Sequence, residues 1–326
     1  MSKSVVAGKG PPASRRPRGM AWMRGTLAFG RVVATNPKAL IGALLMLIFV
    51  VTALGASFIA PYDPTAQDFL PTMPISSAHW LGTTSYGQDV FSQLVWGTRQ
   101  SLVIGLVAGL MATIISVLVG VTAAYRGGAT DLVLSLITDI FLVMPQLPLM
   151  IVIATYFKGS GANVIIGVIV ITGWSFGARQ LRSQALSLRN RDFLESARLR
   201  GERSLYIIVF EMLPTMISLI AANFLGAALY SVLAAAGLQF IGLGNVNDQS
   251  WGTMLYWAEN NEALTSGSAP AWAILPGVCI ALLGASFALL NYAFDEIGNP
   301  ALRATRRKRK RAPSTARVAG SKEQRA

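Results

Sequence analysis

Few residues of this chain have the type and spacing that chemistry requires, and they stand out against long uncharged stretches. Asp192 and Glu195, three apart in Asp192-Phe193-Leu194-Glu195-Ser196-Ala197, fit the D-x-x-E pattern of a helix capping box. Phe193, Leu194, Ala197 and Leu199 add a short apolar face, and Gly201 can take the left-handed conformation that stops a helix. The spacing predicts a short surface helix with a sharp end. Further on, Leu213-Pro214 falls inside the next apolar stretch, where a proline kinks a helix. Asp139 is an ionisable group inside another apolar run, where an unpartnered charge is costly, so it must face the bundle or a wet cavity. Two roles fit it: coupling to a proton or ion, as in a secondary transporter, or a structural carboxylate tied to the backbone or to a loop arginine. A lone carboxylate makes a poor relay, which favours the structural role. His79 is the only histidine and Cys279 the only cysteine. Neither has companions at metal-ligand spacing, so no metal site is assigned; His79 reads as a satisfied surface residue and Cys279 as a small buried hydrophobe. The sequence holds no G-x4-G-K-[ST] phosphate loop, no G-x-S-x-G elbow and no H-E-x2-H helix. No catalytic residue and no bound cofactor follow, and ATP, if used, must be handled by another polypeptide.

The elements that carry these residues are set by composition. At 53% hydrophobic and 13% charged residues over 326, with uncharged stretches of bilayer length, the chain reads as an all-α integral membrane protein. Six spans are expected: 39–60, 101–125, 132–157 (broken by Pro145 and Pro148), 161–178, 205–242 and 271–294. The fifth is too long for one straight crossing, so a bend near Gly237 or a short returning helix is expected at its outer end. Gly105 and Gly109 have the small-x3-small spacing of a close helix contact. The chain then divides into a basic N-tail (1–38), a first span (39–60), a large connection (61–100), a core (101–298) containing the loop at 190–214, and a basic C-tail (299–326).

Orientation follows from the basic residues. Of 28 Lys and Arg, 26 fall in the two tails, at Arg126, or in the loop between spans four and five, and only Arg99 and Lys158 lie on the other side. The positive-inside rule places both termini and the 190–214 loop in the cytoplasm. The R-R-K-R-K-R run at 306–311 is read as a juxtamembrane segment attracted to anionic lipid rather than to nucleic acid. Both tails have the Pro, Ser, Gly and basic content of chains that stay disordered at their ends. On the outer side, residues 243–270 hold Asp248, Glu259 and Glu262 with Trp251, Tyr256 and Trp257, and no Lys or Arg. Such a segment offers aromatic anchors and negative charge to a docking protein, or forms an interfacial aromatic belt.

Several separated strings carry a resemblance. The stretch Glu195-Ser196-Ala197, three residues, Gly201, then Leu213-Pro214 resembles the EAA loop by which the membrane subunit of a bacterial ABC importer grips its ATPase. H-W-L-G-T-T-x2-G-Q-D-V-F-S-Q-L-V-W-G-T-R-Q-S-L at 79–102, F-I-G-L-G at 240–244, S-W-G-T-M-L at 250–255 and L-P-G at 275–277 fall around it in order. Together they resemble the C-type permease of the dipeptide/oligopeptide/nickel ABC importer family from about Pro37 to Pro300. The resemblance implies a six-helix bundle of the type I importer fold with a cytoplasmic coupling helix, in the bacterial inner membrane. It also implies a heterodimer with a homologous second permease, two cytoplasmic ATPase subunits that bind ATP and Mg, and an extracytoplasmic substrate-binding protein. Carried over residue by residue, Glu195, Ser196 and Ala197 would meet the ATPase, with Glu195 and Ala197 in its cleft; Gly201 would permit the turn and Leu213-Pro214 would shape the entry to span five. Small peptides are the implied cargo, with short oligosaccharides or nickel as alternatives. Departures touch that cargo: many members have Asp, Arg and Arg where this chain has Thr84, Gln88 and Gln93, and a Gly-Asp pair near its Asn291-Tyr292, and Glu211 stands where the general EAA pattern has Ile.

Overall fold

The computed structural model describes residues 36–298 apart from Lys158, Ser160 and Ser268. The predicted tails therefore lie outside the described residues, except for Asn36, Pro37 and Lys38, and so does the basic run at 306–311. Where no water can satisfy backbone groups, each apolar stretch must satisfy them internally, and here each does so as helix. Helix α1 (Pro37–Leu54) starts from Asn36, whose side chain accepts from the Lys38 N–H, with Pro37 at the position where a missing N–H costs nothing. Gly55 interrupts it before the single turn α2 (Ala56–Ile59). Helix α3 (Val90–Arg126) runs 37 residues, about 55 Å, and so projects well beyond a ~30 Å hydrocarbon core. It begins eleven residues earlier than the expected span because Asp89 caps it, accepting from the Ser92 N–H at 2.8 Å.

The next two spans are broken. Helices α4 (Gly128–Val143) and α5 (Gln146–Tyr156) meet at 89° across Met144-Pro145, as the prolines predicted. Helices α6 (Ala162–Gly173) and α7 (Ser175–Arg189) meet at 43° across Trp174, a break the sequence did not signal. A short helix α8 (Asp192–Leu199) follows, then one turn α9 (Ser204–Tyr206), a π-helical segment Ile207–Met212, and α10 (Leu213–Phe240). Gly237 lies within regular helix, so of the two alternatives the bend near Gly237 is absent; the irregularity of this run is at the Leu213-Pro214 end. Two further helices close the described chain, α11 (Trp251–Asn260) and α12 (Pro270–Gly298). Four helical runs are long and apolar enough to cross a membrane, and six if each bent pair is one span. Among the described residues there is no β-strand, only an isolated bridge between Thr83 and Asp89.

Helix α3 is the axis of the bundle, with α1, α7 and α10 packed along it. Its contact with α10 is close because Gly105 and Gly109 lack side chains: a Cβ on Gly109 would lie 2.7 Å from the Ala228 Cα, and one on Gly105 2.2 Å from a Val232 methyl. Three apolar clusters follow the axis. One gathers Trp251, Trp272 and Phe287 at the α11 end, a second joins α3, α5, α6 and α10 in the middle, and a third lies under α8. The outer faces of α1 and α4 are exposed leucines, isoleucines and valines, as lipid or another membrane subunit requires.

Candidate functional site

The segment from Arg191 to Pro214 builds an exposed short helix on a small apolar foundation. Helix α8 does not carry the predicted capping box: Arg191 is the N-cap, with extended φ −80° and ψ 142°, and no side chain caps it. Asp192 is thus the first helical residue, one position too late for its carboxylate to reach the N–H of Glu195, which bonds the Arg191 carbonyl instead. Both carboxylates still sit in the first turn, where the helix dipole favours negative charge. The C-terminus matches expectation. Gly201 has φ +75°, its N–H donates to the Arg198 carbonyl at 2.9 Å, and the Glu202 N–H donates to the Ala197 carbonyl at 3.3 Å, the paired bonds of a Schellman stop.

The apolar face is narrower than the sequence suggested. Only Leu194 and Ala197, three apart, are fully buried, packing with Ile207, Met212, Leu181 and Tyr125. Phe193 and Leu199 point outward, Leu199 84% exposed, and Glu195 and Ser196 are exposed beside them. Ala197 is therefore part of this chain's own core and presents no surface to a cleft. The outward surface of α8 is Phe193, Glu195, Ser196 and Leu199. Arg198 braces the helix by lying over the Tyr125 ring at 5.3 Å and donating to the Arg189 carbonyl. Beneath it the chain is wound as π-helix, with the Leu213 N–H reaching back to the Ile208 carbonyl, immediately before Pro214, which has no N–H to offer Phe210. Glu211, the unusual acid of this segment, stands 4.0 Å from Arg200.

Asp139 on α4 pairs with Arg179 on α7, the arginine-tied carboxylate that the sequence favoured. About two turns closer to α8 along α4, Asp131 receives both the Nε and an Nη of Arg182, at 2.6 and 2.7 Å, a bidentate pair that no local spacing announced. A cavity of about 180 Å³ lies between the pairs, lined by Gly120, Ser135, Thr138 and both members of the Asp139–Arg179 pair.

At the opposite end the expected docking residues separate into two kinds. Trp251 is fully buried: its N–H donates to Ser101 Oγ, its indole N–H to the Leu94 carbonyl, and its ring meets Phe49 edge-on at 5.6 Å. It anchors the fold and has no surface for a partner. Tyr256 and Trp257 are half-buried, while Glu259 and Glu262 are exposed, and Glu262 holds a left-handed φ of 51° unusual for a residue with a side chain. Trp257 meets Tyr86 at 5.5 Å, so α11 is fastened to the 61–89 connection. A cavity of about 410 Å³ opens there between Gln88, Gln93, Asp248, Trp257 and Trp272.

Residues 112–296 match the protein family described as binding-protein-dependent transport system inner membrane component, and residues 30–74 match the N-terminal TM domain of oligopeptide transport permease C. The chain belongs to that transport-system family. It is 32% identical over 279 residues to the glutathione transport system permease protein GsiD of Pectobacterium atrosepticum, covering 84% of this chain and 91% of that one. It is 30% identical over 289 residues to the oligopeptide transport system permease protein OppC of Mycobacterium tuberculosis, covering 87% and 97%. To the dipeptide transport system permease protein DppC of Bacillus subtilis it is 29% identical over 276 residues, covering 84% and 85%.

Within this family setting the 61–89 connection holds what sequence reasoning missed. His79 is not a surface residue: it is 3% exposed, its Nδ1 lies 2.9 Å from an Asp89 oxygen, and Tyr62 and Phe69 pack on its ring. The other Asp89 oxygen caps α3, so one buried carboxylate ties the connection to the axial helix. The three departures Thr84, Gln88 and Gln93 come together as one neutral network, with Gln93 Nε2 donating to Gln88 Oε1 at 2.7 Å and Thr84 donating to the same oxygen at 3.4 Å. Among the described residues no group of three or more His, Cys, Asp or Glu could hold a metal.

Proposed function

We propose that this chain is one half of a permease pair in an ATP-driven, binding-protein-dependent importer, and that it moves small peptides inward by alternating access. The observation that carries the reading is α8: an exposed short helix, stopped by Gly201 and rooted on the π-helical base of α10. A helix so placed can be pushed as a unit by a second protein and pass the displacement to a membrane span. Its outward Glu195, Ser196 and Phe193 would meet the ATPase, while Ala197 fixes it to its foundation. The peptide cargo is supported by the glutathione, oligopeptide and dipeptide permeases to which the chain is similar.

In this reading the 190–214 loop and both termini are cytoplasmic, six crossings lie between, and the basic run at 306–311 meets anionic lipid. Two cytoplasmic ATPase subunits bind and hydrolyse ATP with Mg, and a homologous permease completes the path. Tyr256, Trp257, Glu259 and Glu262 receive the extracytoplasmic binding protein. Closure of the ATPases must favour one position of α8 over the other, because a partner that held both positions equally would shift nothing. The test is reconstitution of the four-subunit complex in proteoliposomes. Hydrolysis should rise on addition of peptide-loaded binding protein and peptide should accumulate inside, whereas proton-driven uptake by this chain without ATP would overturn the reading.

A further inference from the structure

Midway along the bundle, where both broken spans turn, the structure holds a second polar cavity of about 400 Å³, within the range of small-ligand sites. It lies about 15 Å from the α8 end of two different helices, measured from Arg126 to Ser116 on α3 and from Leu213 to Asn223 on α10. That depth is well inside the hydrocarbon layer of a membrane-spanning bundle. Its walls nevertheless carry four carboxamides and two hydroxyls: Gln146, Gln180, Asn223, Asn291, Ser116 and Tyr230. The breaks create it. Gln146 is the first residue after the 89° turn and accepts from the Tyr230 hydroxyl at 2.8 Å. Ser116 donates at 2.6 Å to the carbonyl of Trp174, the residue at the 43° break. Asn223 donates to Gln180 at 3.2 Å, and both remain open to the cavity side, with Gln180 exposed. The Asn291 carbonyl oxygen is buried and has no hydrogen-bond partner.

Polar groups placed this way are expensive against lipid and are stable only facing water, a second subunit or a passing solute. None of the lining residues is charged. The charges nearby, Asp139 with Arg179 and Asp131 with Arg182, are paired with each other around the separate cavity nearer α8. We infer that this carboxamide ring is the substrate-contacting waist of the translocation path, and that it recognises the amide N–H and C=O groups of a peptide backbone without selecting on side-chain charge. The inference rests on the importer reading. Carboxamides donate and accept equally, so they can exchange bonds along an amide chain as it moves, and a neutral ring neither holds nor repels a charged side chain. Discrimination between peptides then falls to the binding protein.

The test installs a charge in the ring. Asn223→Asp and Asn223→Lys are assembled with the partner subunits, and uptake of a lysine-containing and a glutamate-containing dipeptide is measured at matched membrane abundance. Asn223→Asp should raise the lysine-to-glutamate uptake ratio about tenfold over wild type, and Asn223→Lys should lower it by a similar factor, the change that ~1.4 kcal/mol of charge interaction gives. An unchanged ratio, or equal loss of both substrates, overturns the inference. Should the charged variants not assemble, Asn223→Cys in a Cys279→Ala chain provides the second readout. A water-soluble cationic thiol reagent should modify it in the assembled complex, and transported peptide should slow the reaction; no modification overturns the proposal. Failure of the importer reading is seen separately, as absence of binding-protein-stimulated ATP hydrolysis in the wild-type complex.

Discussion

The two ends of this molecule are built on opposite plans. At one end, residues 61–89 fold against the start of α3 with polar groups turned inward: Thr83, Thr84, His79, Asp89 and Ser92 are all buried and bonded. At the other, α8 turns its polar and two apolar residues outward and buries only Leu194 and Ala197, with Arg198 as a brace. An inward-turned polar network locks one geometry, since leaving any member unpaired costs the full burial penalty of its partner. A short helix held by two buried residues, above a π turn, buries far less of itself than the 61–89 network does. In the proposed importer the first end is a platform and the second a lever.

The largest effect is expected at the platform. Asp89→Ala removes the cap of α3 and strands His79, together about 2–4 kcal/mol. Thermal unfolding of the purified complex and membrane abundance should both fall, and a variant as abundant and as stable as wild type would mean that the network is decorative. Next comes the lever. Gly201→Val forces a β-branched residue into φ +75°, at a local cost of about 1–2 kcal/mol. Binding-protein-stimulated hydrolysis and uptake should fall together by about tenfold while unfolding moves little, since ~1.4 kcal/mol commands that factor. Glu195→Ala loses an exposed charge in the first turn of α8 and should lower stimulation only severalfold, read from ATPase rates at matched assembly. The smallest effect belongs to Glu211→Gln. Its 4.0 Å pair with half-exposed Arg200 is the kind of surface ion pair that contributes about 0–1 kcal/mol, so uptake should stay near wild type.

What the sequence made legible was whatever a single residue decides locally. Gly201 is left-handed because a helix stop needs such a residue, Gly105 and Gly109 admit α10 because they have no side chain, and Pro145 breaks its span. What it hid depends on residues distant in sequence or on a one-residue register. The D-x-x-E string at 192–195 has the letters of a capping box, but the helix begins one residue early, so the cap position falls on Arg191. His79 finds Asp89 ten residues away across a turn, and Asp131 finds Arg182 fifty-one residues away on another helix. Trp251 reads as a docking aromatic until Phe49, Leu94 and Ser101 are seen to enclose it. The break at Trp174 has no proline to mark it; Gly173 is the only hint.

In the proposed importer α8 meets the ATPase and α11 faces the binding protein across the membrane. This arrangement is tested most directly by placing single cysteines at Leu199 and at Glu259 in a Cys279→Ala chain, within the assembled importer, and cross-linking through each with a short thiol-to-amine reagent. Leu199→Cys should join an ATPase subunit and resist a membrane-impermeant thiol reagent in intact cells, whereas Glu259→Cys should join the binding protein and be modified by that reagent. Cross-linking of Leu199→Cys to the binding protein, or its modification from outside, would contradict this arrangement.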